Sequence, residues 1–289
     1  MSLGRRLRRI FTSRRGMIGL AAHALIAFGL VAAAVQLVAQ VFATKFQQPF
    51  ALTLAVVAGC LLWGLVRALP GRRVHREFGR PDMTVTVKAG DLLDEDAHIV
   101  VGFTDTFDTD ITDDLVINRR SVQGQVLLRR YGGDMGRLDA ELDAALATTP
   151  VVGKVTRSSK PIGKLSRYPI GTVATVGPPE RRVFAVAYSR MGTDLVARSG
   201  VEDLWHSLAR IWDAAFRHAQ QGRVAIPLVG ADLARIDWLD RESLLRMVLL
   251  SFVARSRQQL VCRELVIVLQ PDDFARIDLL ELDAFLRAL

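Results

Sequence analysis

The chain has 289 residues, half of them apolar, with 38 Lys and Arg against 30 Asp and Glu, a net charge of +8. Residues 1–80 hold twelve basic residues against one acid, Glu77, for +11, and the remainder holds twenty-six against twenty-nine, for −3. The excess charge therefore belongs to one end, and a nucleic-acid-binding surface over the rest is excluded. Two distant cysteines, Cys60 and Cys262, imply no disulfide framework, and His23, His75, His98, His206 and His218 have no spacing that would hold a metal.

Residues 1–16 read as a basic segment carrying Arg5, Arg6, Arg8, Arg9, Arg14 and Arg15. Residues 17–42 have no formal charge. At about 1.5 Å per residue, a helix of that length exceeds the roughly 30 Å hydrocarbon core of a bilayer. A second uncharged run, 49–66, reaches the minimum spanning length, so residues 17–69 are expected to form a two-helix transmembrane hairpin. The first run is too long for a signal peptide's apolar region, and no cleavage site follows it. Arg67, Arg72, Arg73, Arg76 and Arg80 follow the hairpin, whereas the loop 43–48 has only Lys45. By the positive-inside rule a multi-pass membrane protein with both termini cytoplasmic is expected, its basic flanks facing anionic lipid.

Small residues recur every fourth position at Ala51, Ala55 and Gly59, and Gly29, Ala33, Gln36 and Gln40 follow at spacings of three and four. Such faces let helices approach closely and give amides partners across them. They serve either packing within one hairpin or association of several.

Residues 70–82 form a basic linker bounded by Pro70 and Pro81, and residues 83–289 the soluble domain. Val85 and Val87 alternate as a strand, Gly90-Asp91 turns, and His98 to Phe103 is an apolar run of the kind buried on both faces of a sheet. The polar stretch 104–109 then sits where open α/β sheets bind ligands. An acidic loop follows with Asp105, Asp108, Asp110, Asp113 and Asp114. Ser121 caps a helix over 122–131, and Leu138, Leu142 and Leu146 mark the core face of another.

Residues 151–167 carry Lys154, Arg157, Lys160, Lys164 and Arg167 and read as a solvated loop or a flap over an anionic ligand. Gly163-Lys164 lacks the remaining residues of a phosphate-binding P-loop. Strands are expected over 171–176 and 182–188. Ser199 and Glu202 have capping-box spacing ahead of a helix with Val201, Leu204, Trp205, Leu208, Ile211, Trp212 and Ala215 on its core face. A buried strand 224–229 ends in Gly230-Ala231-Asp232, a helix covers 240–257, a strand 265–269 and a closing helix 274–289. Strands alternating with helices predict a three-layer α/β/α domain around a mostly parallel mixed sheet.

In this order of elements, Ala89-Gly90-Asp91-Leu92, Ile99 to Thr104, Gly171 to Thr175, Val183 to Ala187 and Ile226 to Asp232 resemble the macro domain, a fold that binds ADP-ribose and its derivatives. The resemblance implies that Asp91, beside Leu92, reads the adenine amino group. It also implies that amides of the turn through Gly230, Ala231, Asp232 and Leu233 wrap the diphosphate. Gly102-Phe103-Thr104-Asp105 stands where the family has Asn-Ala-Ala-Asn, and the glycine-rich loop is replaced by the acidic one. The asparagine associated with hydrolysis has no counterpart, which implies binding without turnover.

A basic-flanked hairpin joined to such a domain with Phe107-Asp108-Thr109 resembles the membrane effectors of type II Thoeris anti-phage defence. That resemblance implies a TIR-domain enzyme that makes an amino-acid-conjugated ADP-ribose from NAD. The signal is bound here with no other cofactor, and homo-oligomerisation and membrane disruption follow. Thr104, Asp105, Phe107, Asp108 and Thr109 are candidate ligand-binding residues, with Asp105, Asp108 and Asp110 by the distal ribose and its appendage; alternatively the aspartates only cap turns. A membrane-tethered ADP-ribosyl hydrolase and a reader of ADP-ribosylated proteins are the competing expectations.

Overall fold

The computed structural model describes residues 11, 14–42, 49–68, 73–231 and 239–289. The chain divides into two compact units, Met1–Arg72 with Asp278–Ala284, and Arg73–Ile277 with Phe285–Leu289.

In the first unit α1 spans Arg14–Phe42 and α2 spans Pro49–Ala68. Their described side chains are mostly exposed and apolar: Leu25, Ile26, Leu30, Leu37, Leu54, Leu61 and Leu62 are each more than half exposed. Water does not tolerate so continuous an apolar surface, whereas lipid does. Among the described residues, Met17–Val38 is the helical stretch long and apolar enough to cross a membrane, and the apolar part of α2, Thr53–Arg67, is shorter.

The tight helix contact lies at Gly64, where a Cβ would stand 3.0 Å from the Ala24 amide nitrogen and 3.1 Å from the Leu20 carbonyl. Ala24, Cys60 and Gly64 are buried there, while Gly29 and Gly59 face open space and Ala55, Gln36 and Gln40 are exposed. The side chain of Ala51 lies outside the described residues. Gly64→Leu is expected to part the helices, a strain of about 1–3 kcal/mol. Loss of NMR cross-peaks between Ala24 and residue 64 in micelles would register it, and intact cross-peaks would refute the contact.

The second unit is built on an eight-stranded sheet. Its strands are β1 (Arg73–Gly79), β2 (Asp82–Ala89), β3 (His98–Thr104), β6 (Val173–Val176), β7 (Val183–Met191), β8 (Ala197–Arg198), β9 (Arg223–Pro227) and β10 (Glu264–Leu269). The short β4 (Gly153–Lys154) and β5 (Ser166–Arg167) form a separate antiparallel pair. The strand order is β1-β2-β10-β9-β3-β7-β6, with β8 added to β7. The five central strands β2, β10, β9, β3 and β7 run parallel, and β1, β6 and β8 pair antiparallel.

On one face, α3 (Val122–Arg130) and α4 (Met135–Leu146) pack Val126, Leu127, Leu138, Leu142 and Leu146 onto Ile99, Val101, Phe103 and Ala185. Elsewhere α5 (Val201–His218) meets α6 (Arg241–Gln258), where fully buried Trp212 donates from Nε1 to Ser251 Oγ at 3.0 Å and its ring lies 5.2 Å from Phe252. The chain ends in α7 (Pro271–Phe274) and α8 (Leu279–Ala288).

Four local expectations are corrected. Arg73–Gly79, assigned to the linker, is the edge strand β1, because Val74, Arg76 and Phe78 alternate opposite Val87, Val85 and Met83 of β2. Arg76, standing between Val74 and Phe78 on the inward-facing side, concealed that alternation. Ser199 does not cap α5: Gly200 holds the N-cap position and Ser199 Oγ donates to the Tyr188 carbonyl at 2.6 Å. Trp205 is 45% exposed rather than core, as its position on the apolar stripe runs past the edge of the packed interface. The closing helix is two, interrupted at residues 275–278.

The cap at Ser121 forms as expected, and Asp240, read only as the start of its helix, proves to be the N-cap, its carboxylate accepting from the Ser243 amide at 2.7 Å. Asp240→Ala is expected to cost about 1 kcal/mol. The Ser243 donors hold the Asp240 carboxyl below its ordinary value. A depressed folded pKa stabilises above the unfolded value of 3.8 and loses that contribution as pH falls through the folded value. Urea titration at pH 7 and at pH 2.5 should therefore separate variant from parent only at the higher pH.

Candidate ligand-binding cavity

The chain leaves β3 toward the face carrying α3 and α4, and leaves β9 toward α6. Adjacent parallel strands whose connections diverge open a crevice at their carboxyl ends. A cavity of about 260 Å³ occupies that place. It is lined by Gly102, Phe103 and Thr104 at the end of β3 and by Tyr188, Ser189 and Met191 from β7. Pro227 ends β9 and Leu228, Val229 and Gly230 follow it, Ser121, Val122 and Gln123 open α3, and Val116, Ile117, Leu195, Val196 and Ala197 complete the wall.

Gly102 shapes the floor. A Cβ there would stand 2.4 Å from Cε1 and 2.9 Å from Cδ1 of Tyr188, so the ring lies directly on bare backbone. Gly230 turns the chain away with φ of +88°, a conformation that costs glycine little. Ser121 Oγ accepts from the Gly124 amide at 3.0 Å, leaving Val122 and Gln123 at the helix start, where backbone donors and the macrodipole favour an anion. Among the described residues no Asp, Glu, His, Lys or Arg side chain lines this cavity.

The acidic loop has a different occupation. Asp105 accepts from the Met191 amide at 2.8 Å and from Arg167 Nη1 at 2.5 Å. Asp108 is fully buried: its carboxylate accepts from Thr106 Oγ1 at 2.5 Å, Lys160 Nζ at 2.7 Å and the Lys164 amide at 2.5 Å. Lys160, also fully buried, gives a further bond to the Lys164 carbonyl at 2.8 Å. Phe107, with φ of +50°, packs its ring 5.7 Å from Phe103 and 5.6 Å from Tyr168. Thr109 donates to Asp139 at 2.7 Å, and Asp110 caps the Thr112 amide at 2.8 Å.

Thr104 and Gly230 are thus brought together in the cavity wall. Asp105, Phe107, Asp108 and Thr109 brace the loop behind it. Ala231 is buried beside Gly230, and Asp232 and Leu233 lie outside the described residues. Asp91, two residues beyond β2, is half-exposed, accepting from the Leu93 amide at 2.9 Å and from Arg129 Nη1 at 2.6 Å, and Leu92 is buried in the core.

Sequence reasoning passed over Tyr188, the 116–123 wall and Leu195 to Ala197. It also set Lys160 in a solvated loop or flap, where opposite charges in 105–114 and 154–167 were the available signal for pairing. A second, more open cavity of about 700 Å³ is lined by Arg167, Arg190, Arg198, Asp105 and Asp203, with Met191 common to both.

A family model described as Thoeris protein ThsA, Macro domain, matches residues 85–270. The fold is similar to that of a point mutant of the Oceanobacillus iheyensis macrodomain, with 11% identity and a TM-score of 0.49 over 75% of this chain and 96% of that one. The same macrodomain with ADP gives 10% identity and a TM-score of 0.42 over 76% and 100%. Another mutant, with ADPR, gives 11% and 0.46 over 73% and 96%. No curated protein matches.

Proposed function

The chain belongs to the Thoeris ThsA macro-domain family, and on that premise we propose that its α/β unit is the receptor for an ADP-ribose-derived signal in a membrane effector of bacterial anti-phage defence. The observation that carries the reading is the neutral cavity at the switch point, walled by the start of α3 and the turn through Gly230. Amides of Val122, Gln123, Leu228 and Gly230 hold the diphosphate, the Val229 amide being taken by the Pro227 carbonyl at 2.9 Å, since backbone donors bind phosphate without a counter-charge. Asp91, whose carboxylate oxygens each retain accepting capacity beside Leu93 and Arg129, reads the adenine amine next to Leu92. Thr104 faces the distal ribose. Asp105, Phe107, Asp108 and Thr109 act by holding the loop that carries it, and Ala231, with Asp232 and Leu233 next in sequence, completes the proposed diphosphate-binding set.

The signal is an amino-acid-conjugated ADP-ribose made from NAD by a TIR-domain enzyme. Binding favours a form in which copies gather and their hairpins disrupt the inner membrane. Only differential affinity for the two forms can drive that shift. Exposed apolar side chains along α1 and α2 support a two-span anchor, and the arginine-rich flanks support cytoplasmic termini.

Calorimetric titration of the detergent-solubilised chain with ADP-ribose and with its amino-acid conjugates tests the reading, with mass measured alongside. Tighter binding of a conjugate and a rise in mass are expected. Turnover of either ligand would favour the hydrolase, and absence of binding would remove the receptor assignment.

A further inference from the structure

The sheet ends on one side at β1, which pairs with β2 alone among the described residues. With seven residues it is longer than β6, which has four. An edge of this length presents a row of outward backbone donors and acceptors, a template for another strand. On its exposed face Arg73, His75 and Glu77 stand at alternate positions. Arg73 has no acid partner among the described residues, and Glu77, 79% exposed, meets only His75, at 3.5 Å.

We propose that β1 is a self-complementary interface, joining two copies of this chain antiparallel about a two-fold axis at His75. In that register Arg73 lies opposite the partner's Glu77 and Glu77 opposite the partner's Arg73, so two unmatched surface charges become two cross-strand pairs. Val74 then faces the aliphatic stem of the partner's Arg76 on the other side of the strand. Pairing by full overlap about Arg76 instead would set two guanidinium groups against each other, and like charges directly opposite are unfavourable.

A second copy is the occupant for two reasons: the charge pattern matches itself on reversal, and only four residues separate Ala68 at the end of α2 from Arg73. Chains held in one membrane meet at high effective concentration, which lets a seven-residue edge pair where free domains would not. The inference rests on the proposed reading only for that common membrane.

The test uses the full chain in membranes. His75→Cys places a thiol on the axis, and opposed positions in antiparallel strands lie within disulfide reach. Oxidation is expected to yield a cross-linked dimer, with little from Arg76→Cys or from Glu180→Cys, which is remote from β1. Dimerisation by affinity-tag co-purification is expected to fall about tenfold in Arg73→Glu and in Glu77→Arg, and to return in the double exchange. No cross-link through residue 75, cross-linking through residue 76 instead, or a double exchange no better than the single changes would overturn the pairing. ADP-ribose titration of the same preparations separates the two ideas. Binding without the cross-link sinks the interface alone, and the cross-link without binding supports the interface while removing the receptor.

Discussion

Replacing Lys160 by Met is expected to cost the α/β unit about 3–5 kcal/mol. Lys160 comes from a stretch of five basic residues, yet it is fully buried and its ammonium meets Asp108, Thr106 and the Lys164 carbonyl. Without it the Asp108 carboxylate stays buried with no cation. The pair is weak evidence for net stability, because removing both charges together avoids the desolvation that each incurred. Lys160→Met with Asp108→Asn should therefore recover most of the loss, the amide oxygen still accepting from the Lys164 N–H. Urea unfolding of the parent, both single variants and the double completes the cycle. Equal losses in the single and double variants would show that the lysine contributes through packing alone.

The same clamp fixes the loop that begins at Thr104, so its loss should weaken ligand binding before the unit unfolds. Titration of Lys160→Met at a temperature where it remains folded separates the two effects. Unchanged affinity would mean that the cavity wall keeps its shape without the clamp.

Gly102→Ala is expected to reduce affinity for the cavity's ligand by about tenfold or more, through one methyl group. The added Cβ would overlap Tyr188 Cε1 at 2.4 Å, and the ring can yield only by rising into the cavity or straining β7. Overpacking of this kind costs about 1–3 kcal/mol, and displacement of the floor removes the binding volume as well. A companion change, Tyr188→Ala, removes the clash. The double variant should regain thermal stability while binding stays weak, since the ring that floors the cavity is gone. Recovery of both would show that the ring has no part in binding and merely obstructs when displaced.

Much of the architecture was legible because burial imposes a period. The run His98 to Phe103 and the triplet Leu138, Leu142, Leu146 announce a doubly covered strand and a helix face, and both stand as read. The cap at Ser121 is equally local, since it needs only the next turn of its own helix. Misreadings arose where a residue's environment depends on a distant segment. Lys160 is buried because Asp108 lies across from it, 52 positions earlier, and Ser199 bonds to Tyr188 instead of capping its helix.

From sequence alone came the uneven charge, the apolar helices at one end, the alternation of strands and helices, and the turn at Gly230. Each follows from periodicity or composition within a dozen or so residues. Only the tertiary structure decided that the aspartates of 105–108 are spent on bracing, that Gly102 lies under Tyr188, and that Gly64 rather than Gly59 marks the helix contact. Those outcomes depend on which side chains meet across separate elements, and a buried charge or a bare Cα takes its meaning from the neighbour that folding brings against it.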